Sequence, residues 1–160
     1  DNIRFGTDED INPEQLAVLI EQVAMTGEVA RFPKGTDTLV GERGVTLSGG
    51  QRQRTCIARA LARKPRILVL DDCLSAVDTH TEKKLLQSLR QAGQGRGVVI
   101  AAHRLSTVAG CNEIMVLDDQ GAMADKGTHK ELVSRPGWYQ QTWNRQQKRA
   151  SLEDNTGAGA

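Results

Sequence analysis

The chain has 160 residues, of which 38% are apolar, 26% are charged and only 3% are aromatic. This length and composition indicate about one soluble domain with an aliphatic core and argue against a disordered or fibrous chain. The formal net charge of +1, from 21 basic and 20 acidic residues, argues against a generally basic nucleic-acid-binding protein and a polybasic membrane-surface protein.

Neither a membrane span nor a secretory signal is visible in the sequence. The longest apolar runs, Leu16–Ile20 and Val98–Ala102, have five residues each, far fewer than a transmembrane helix needs. Cys56, Cys73 and Cys111 lie far apart without a metal-binding spacing, which predicts a reducing, cytosol-facing environment. The chain does not open with Met, so we expect it to be a piece of a longer protein.

The first third of the chain is predicted to form one amphipathic helix and a long loop. Asn12, Pro13 and Gln15 suit the N-cap, the first turn and the N3 position of a helix, and Gly27 is expected to end it. Its apolar face would comprise Leu16, Leu19, Ile20 and Val23. Turn-type residues crowd into 31–47 and predict an ordered loop.

Helices and strands then alternate. A helix is predicted over 48–64, and short apolar runs predict strands buried on both faces at 67–70 and 98–102. The residues 79–82 have capping-box spacing and open a helix that Gly93 should end. Strand, helix and strand in this order predict an α/β layer with parallel strands at its centre.

The last part of the chain is predicted to be a hairpin followed by helices. Strands at 113–117 and 122–126 are joined by a short polar turn. A further capping box spans 128–131, a last helix spans about 136–149, and 150–160 is expected to be a disordered tail.

The helix over 48–64 is predicted to have a solvated face and a core face. The core face would comprise Ile57, Ala60 and Leu61. The mostly solvated face would carry Arg52, Arg54, Arg59, Arg63 and Lys64.

The segment 47–54 reads LSGGQRQR and carries the strongest functional signal. Ser48 and Gln51 have capping-box spacing, but each glycine costs about 1 kcal/mol relative to Ala inside a helix. Glycine allows close approach of another group to the backbone, and a helix N-terminus attracts phosphate. The octapeptide resembles the signature motif of ATP-binding-cassette (ABC) ATPases, and the resemblance covers about residues 1–148. It implies that ATP held by a partner subunit is contacted by Leu47, Ser48, Gly49, Gly50 and Gln51.

The segment 67–72 resembles the Walker B strand of the same family. The resemblance implies that Asp71 holds Mg²⁺, usually through water. Asp72 stands where the family usually has Glu, which polarises the attacking water; Asp is shorter by one C–C bond, roughly 1.5 Å. Misplacing a catalytic group by about 1 Å can cost on the order of 10²-fold in rate, so we expect a slow or non-catalytic site. The alternative is that Asp72 serves as well as Glu.

Three further segments resemble ABC motifs. His103, after the second strand, resembles the switch histidine that contacts the γ-phosphate, so Asp72 and His103 are the expected catalytic residues. Glu42 and Arg43 resemble the X-loop that meets the transmembrane domains of exporters, although Glu42 could be a solvated loop carboxylate. The third segment, Ser75, Ala76, Val77 and Asp78, resembles the D-loop, which lies at the dimer interface in this family. Alternatively, Asp78 only caps the helix that follows.

The implied fold is part of a three-layer P-loop NTPase-type ABC ATPase domain. A helical signature lobe would span about 10–60 and the distal α/β core 61–149. The sequence contains no G-x-x-x-x-G-K-[ST] motif, and the family's Walker A loop, adenine-stacking aromatic and Q-loop glutamine would precede this segment. The chain would therefore supply half a nucleotide site, with ATP and Mg²⁺ as its ligands.

The implied function is ATP-driven export of a multidrug- or lipid-like substrate. The segments 127–132 and 137–139 resemble the C-terminal region of exporters. With the Asp-Asp ending of 67–72 and the run 134–147, they favour a bacterial multidrug-resistance-like half-transporter that pairs with a different half. The transmembrane domains would belong to the same polypeptide, and the domain would lie at the cytoplasmic face of the inner membrane. The alternatives are a soluble ABC ATPase of DNA repair or translation and a non-hydrolysing regulatory half.

Overall fold

The computed structural model describes residues 1–7, 10–41, 45–92 and 95–156. The chain forms two compact units, Asp1–Ala102 and His103–Ala160. The described elements of the first unit are α1 Pro13–Gln22, α2 Thr26–Val29, α3 Gly49–Ala62, β1 Ile67–Asp71, α4 Thr79–Ala92 and β2 Gly97–Ala101. The second unit contains α5 Leu105–Val108, β3 Ile114–Leu117, β4 Met123–Gly127, α6 His129–Ser134 and α7 Trp138–Thr156.

The first unit has one hydrophobic core. It contains residues from both sides of residue 60, where the sequence predicts a boundary between the helical lobe and the α/β core. Ile20 and Ile57, from the predicted helical lobe, belong to the same buried cluster as Leu68 and Leu85 from the predicted α/β core. Ile57 and Leu61 of α3 are buried in this cluster together with residues from both parts.

Helix α1 begins as predicted and ends earlier. Asn12 is its N-cap and forms a complete capping box with Gln15. The predicted end at Gly27 is wrong, because the chain leaves the helix after Gln22 and turns through Ala24, whose φ is +53°. Gly27 lies inside α2 instead.

Strands β1 and β2 pair in parallel, with Ile67 opposite Gly97 and Asp71 opposite Ala101. The predicted burial on both faces is wrong for the described residues. Leu68 is 4% exposed, whereas Ile67 and Val69 are each 65% exposed. Apolar residues of α3 and α4 pack on the Leu68 side only, so burial alternates along the strand with the period of two expected for a sheet covered on one face.

The start of α4 is capped by Asp78 rather than by the predicted box over 79–82. The Asp78 Oδ1 accepts hydrogen bonds from the backbone N–H groups of His80 (3.1 Å) and Thr81 (3.0 Å). Thr79 is therefore the first helical residue. The Thr81 N–H is the main cause that lowers the pKa of the Asp78 carboxyl below its ordinary value.

Replacing Asp78 with Ala should lower the free energy of unfolding of the chain by about 1 kcal/mol, because α4 loses its N-cap. Asp78→Asn keeps an acceptor oxygen and should cost much less. Since the folded pKa of Asp78 lies below its unfolded pKa, its contribution is complete above the unfolded value and is lost as the pH falls through the folded value. Urea unfolding of both variants at neutral and acidic pH measures this; equal losses for Ala and Asn would contradict the cap.

The second unit is built on the predicted hairpin. Strands β3 and β4 are antiparallel, with Ile114 opposite Gly127, and Thr128 and Glu131 form the predicted capping box of α6. Tyr139 is 2% exposed, and its hydroxyl lies 2.9 Å from His129 Nδ1. Burial raises the pKa of the Tyr139 hydroxyl.

Helix α7 differs from its prediction at both ends. It begins at Trp138, and it continues to Thr156, so 150–156 is helical rather than a disordered tail. This stretch contains the strong helix formers Ala, Leu and Glu, which favour continuation. The last four residues, 157–160, lie outside the described residues. None of the described helices combines the length and apolarity of a membrane span.

Candidate nucleotide site

The signature segment forms the N-terminal turn of α3. Ser48 is the N-cap: its Oγ accepts a hydrogen bond from Gln51 N at 3.2 Å, and Gln51 Oε1 accepts from Ser48 N at 2.9 Å. The predicted capping box is confirmed. Leu47, just before it, is half-buried, and its carbonyl accepts from Arg52 Nη1 at 2.6 Å.

The capping box leaves hydrogen-bond donors for a ligand. The Ser48 oxygen accepts from the backbone, so its hydroxyl proton remains available to donate. The Gln51 carbonyl oxygen is also bonded to the backbone, which leaves the amide N–H groups as its donors. Ser48 is exposed, and the helix dipole adds partial positive charge at this end. The turn therefore suits an anionic oxygen such as a phosphate.

Gly50 is required by a contact inside the chain. A Cβ atom at Gly50 would lie 2.8 Å from the Ala76 carbonyl oxygen, and one at Gly49 would lie 3.2 Å from the Ala76 Cβ. The sequence pattern predicts that these glycines allow close approach of a phosphate. At Gly50, the group that approaches is the backbone of the predicted D-loop.

Gln53 joins the same loop to α3 through both atoms of its side-chain amide. Its Nε2 donates to Ser75 Oγ at 3.1 Å, and its Oε1 accepts from Ala76 N at 3.0 Å. The Ser75 hydroxyl in turn donates to the Asp72 carbonyl oxygen at 3.0 Å. No local sequence pattern predicts this role of Gln53, because the loop it contacts lies more than twenty residues away in the chain.

The two carboxylates predicted to handle metal and water lie at the carboxyl end of β1. Asp71 ends the strand, and both Asp71 and Asp72 are exposed. Asp72 has φ +43°, in the left-handed region that Asp and Asn tolerate better than most residues. Its N–H donates to the Ala101 carbonyl at 2.9 Å, so the ends of β1 and β2 hold this turn.

The neighbouring Cys73 has no feature of a nucleophile. Burial is the main cause that raises the pKa of its thiol, and the carboxylates of Asp72 and Asp71 raise it further. A thiol with a raised pKa stays protonated at neutral pH and reacts poorly.

Arg54 is buried, contrary to the predicted solvated face. It is 6% exposed, and its guanidinium donates to the Ala24 carbonyl at 2.7 Å and to both oxygens of Glu28. Its Nε also donates to the Gly50 carbonyl at 3.3 Å. A buried guanidinium needs such partners, and here they connect α2 to the first turn of α3. The predicted core face is confirmed at Ile57 and Leu61, which are buried.

His103 belongs to the second unit and is exposed. Gln146 of α7 holds the turn after it: Gln146 Nε2 donates to the His103 carbonyl at 3.0 Å, and Gln146 Oε1 accepts from Leu105 N at 2.9 Å. No sequence signal pointed to Gln146. The predicted coupling residues Glu42 and Arg43 lie outside the described residues.

Replacing Gly50 with Ala should destabilise the first unit by about 1–3 kcal/mol, the usual cost of overpacking, because the new Cβ meets backbone that cannot rotate away. Gly27→Ala is the matched control, since a Cβ there has nothing within 4 Å and improves helix propensity by up to about 1 kcal/mol. Urea unfolding should therefore show opposite signs for the two substitutions. A stabilised Gly50→Ala chain would contradict the contact with Ala76.

Comparison with known proteins places these features in one family. The sequence profile described as ABC transporter matches residues 6–75, a range that contains both Ser48–Gln51 and Asp71–Asp72. The chain is 52% identical over 153 residues to the multidrug resistance-like ATP-binding protein MdlA of Escherichia coli K12, covering 96% of this chain and 26% of that protein. It is 41% identical over 158 residues to the probable multidrug resistance ABC transporter ATP-binding/permease protein YheI of Bacillus subtilis 168, covering 99% and 27%.

A solved structure gives the same result. The structure of a bacterial Atm1-family ABC exporter with ATP bound superposes with a TM-score of 0.83 at 43% identity, covering 91% of this chain and 25% of that chain. The chain thus spans about a quarter of the length of these relatives. With this match in fold and sequence, the chain belongs to the ABC transporter family, as part of an exporter-type nucleotide-binding domain.

Proposed function

We propose that the chain forms half of an ATP site and that the complete protein uses ATP hydrolysis to drive export. The observation that carries this proposal is the capping box of Ser48 and Gln51 at the N-terminus of α3, which uses their acceptor oxygens and leaves the Ser48 hydroxyl proton and the Gln51 amide N–H groups as donors. ATP phosphates are the anions that this turn would bind, in a site whose phosphate loop belongs to a partner subunit.

Mg²⁺ fits the residues at the end of β1. No group of three or more potential ligands occurs among the described residues, so a cage made of protein alone is not available there. Mg²⁺ is commonly held by one or two carboxylates together with waters and substrate phosphates, and the exposed carboxylate of Asp71 suits such a site. Bound there, the ion would neutralise phosphate charge during phosphoryl transfer.

We further propose that the two ATP sites of the assembled transporter are unequal. Asp72 would belong to the site built on this subunit's own Walker residues. Its short carboxylate would orient water poorly there. His103 is proposed separately as the switch histidine that contacts a γ-phosphate. Ser48–Gln51 would close the other site, over nucleotide held by a different half-transporter. Ser75–Asp78 would lie at the interface between the two halves.

The transported substrate is proposed to be multidrug- or lipid-like. Relatives of this chain are named as multidrug resistance proteins and as an ATP-dependent lipid A-core flippase in Idiomarina loihiensis. The domain would act at the cytoplasmic face of a bacterial inner membrane, with Glu42 and Arg43 contacting the transmembrane domains.

The test uses the complete protein together with its partner half in lipid vesicles. We expect Mg-ATP hydrolysis and ATP-dependent accumulation of a lipophilic cationic dye or a fluorescent lipid. Hydrolysis that is stimulated by DNA or ribosomes, in a protein without membrane segments, would support the soluble ABC ATPase instead. ATP binding without turnover in either site would support a regulatory half.

A further inference from the structure

Gln53 connects two groups of candidate nucleotide-binding residues that lie on different elements of this chain and are proposed to serve different ATP sites. Ser48 and Gln51 are on the first turn of α3, and Asp71 and Asp72 are at the end of β1. Between them lies the loop after Asp72, and Gln53 donates to one residue of this loop and accepts from the next. A side-chain amide that makes both bonds fixes the loop in distance and in orientation.

The hydrogen bonds continue from Gln53 to the backbone of Asp72. Gln53 Nε2 donates to Ser75 Oγ at 3.1 Å, and the Ser75 hydroxyl donates to the Asp72 carbonyl at 3.0 Å. Asp72, where this series of hydrogen bonds ends, has φ +43°, a conformation that the surrounding structure must maintain. Hydrogen bonds in series polarise one another, so removing the first weakens the second.

The same loop also supports the signature turn. Ala76, whose N–H bonds to Gln53, is the residue that packs against Gly49 and Gly50. Losing the bonds to Gln53 would therefore loosen the loop next to Gly49 and Gly50 as well as the turn at Asp72. Ser75 and Ala76 are both exposed, between Leu74 and Val77, which are buried in the core, so the core anchors the ends of this stretch and the bonds to Gln53 fix the two exposed residues between them.

We propose that Gln53 is a positioning residue that holds Ser75 and Ala76 against the first turn of α3, so that Ser48 and the carboxylates Asp71 and Asp72 keep one fixed geometry. This inference rests on the proposed function only for its effect on turnover. The contact itself concerns this chain alone.

The first measurement is amide hydrogen exchange in this chain. Gln53→Ala should accelerate exchange of the Ala76 N–H by at least about tenfold, since the acceptor of that N–H is lost. Gln87→Ala is the matched control, an exposed glutamine on α4. Gln53→Glu keeps an acceptor for Ala76 but has no donor for Ser75, so it should leave Ala76 protected. Unchanged exchange at Ala76 in Gln53→Ala would overturn the proposal.

The second measurement is steady-state ATPase activity of the complete transporter. Gln53→Ala should lower kcat by about tenfold with a smaller change in KM for ATP, because misplaced groups slow the chemical step more than they weaken binding. Ser75→Ala should lower kcat through the same bonds, so the double variant should be little worse than the more impaired single one. If Gln53 only stabilised the fold, the losses in kcat of the two single variants would multiply in the double variant, or kcat would not change at all. Either result would overturn the proposal.

The two measurements separate the inference from the proposed function. A wild-type complete protein that hydrolyses no ATP would refute the proposed function, while the exchange data would still decide whether Gln53 holds the loop. Accelerated exchange with unchanged kcat in an active transporter would overturn the positioning role alone.

Discussion

Replacing Ser48 with Asp should lower ATP hydrolysis by the complete transporter on the order of 100-fold or more, the scale of losing a donor to a developing negative charge. Asp is as good an N-cap as Ser, so α3 and its bond to the Gln51 N–H should persist. What changes is the charge, because a carboxylate replaces a hydroxyl donor where a phosphate must approach. Ser48→Arg should be equally damaging, through its bulk and the loss of the cap.

The control for this prediction is Ser151→Asp, which adds the same charge at an exposed serine of α7. Steady-state ATPase activity and thermal unfolding should be measured for all three variants. If Ser48→Asp unfolds at the normal temperature but has lost ATP hydrolysis, the loss of activity comes from the nucleotide site and not from an unfolded helix. Normal hydrolysis by Ser48→Asp would mean that Ser48 only caps the helix.

Replacing Arg54 with Met should reduce the free energy of unfolding of the first unit by about 2–4 kcal/mol. Breaking a buried ion pair usually costs about 3–5 kcal/mol, and the figure is reduced here because the Glu28 side chain remains 30% exposed. The substitution also removes a donor from the Ala24 carbonyl at the left-handed turn that follows α1. The exposed Arg90, on α4, provides the matched control Arg90→Met.

The two tryptophans give this experiment an internal reference. Trp138 and Trp143 both lie in α7, so tryptophan fluorescence reports on the second unit, whereas far-ultraviolet circular dichroism reports on the whole chain. Urea unfolding of Arg54→Met should show a clear shift by circular dichroism. The same midpoint as Arg90→Met in that measurement would contradict a structural role for the ion pair.

Features that depend on neighbours in the sequence were predicted well. The capping boxes at Asn12, Ser48 and Thr128 all form as predicted, because each needs only residues three positions apart. The hairpin of β3 and β4 is confirmed for the same reason, since a short polar turn between apolar runs is a local signal.

Features that depend on distant parts of the chain were predicted poorly. Arg54 has the spacing of a solvated helix residue, and only the position of Glu28 and Ala24 makes burial favourable. Ile67 and Val69 have the composition of a strand buried on both faces, but which faces are covered depends on the helices around it. Gln53 and Ala76 meet only after α3 and β1 have packed together.

The capping of α4 shows that even a local rule can have two solutions. Both Asp78 and Thr79 are good N-cap residues, and their sequence neighbours allow either to cap α4. The structure selects Asp78, and α4 therefore starts one residue earlier than the box over 79–82 predicted.

The proposed unequal contribution of this chain to two ATP sites is tested most directly by comparing the kcat of Ser48→Asp and Asp72→Asn in one preparation of the complete protein with its partner half. Asn tolerates the left-handed conformation of Asp72 and is close to it in size, so this substitution removes the charge and little else. We expect Ser48→Asp to lose nearly all turnover and Asp72→Asn to keep most of it. If Asp72→Asn lost as large a part of kcat as Ser48→Asp, Asp72 would be a working catalytic base, and the two ATP sites would not be unequal in the way proposed.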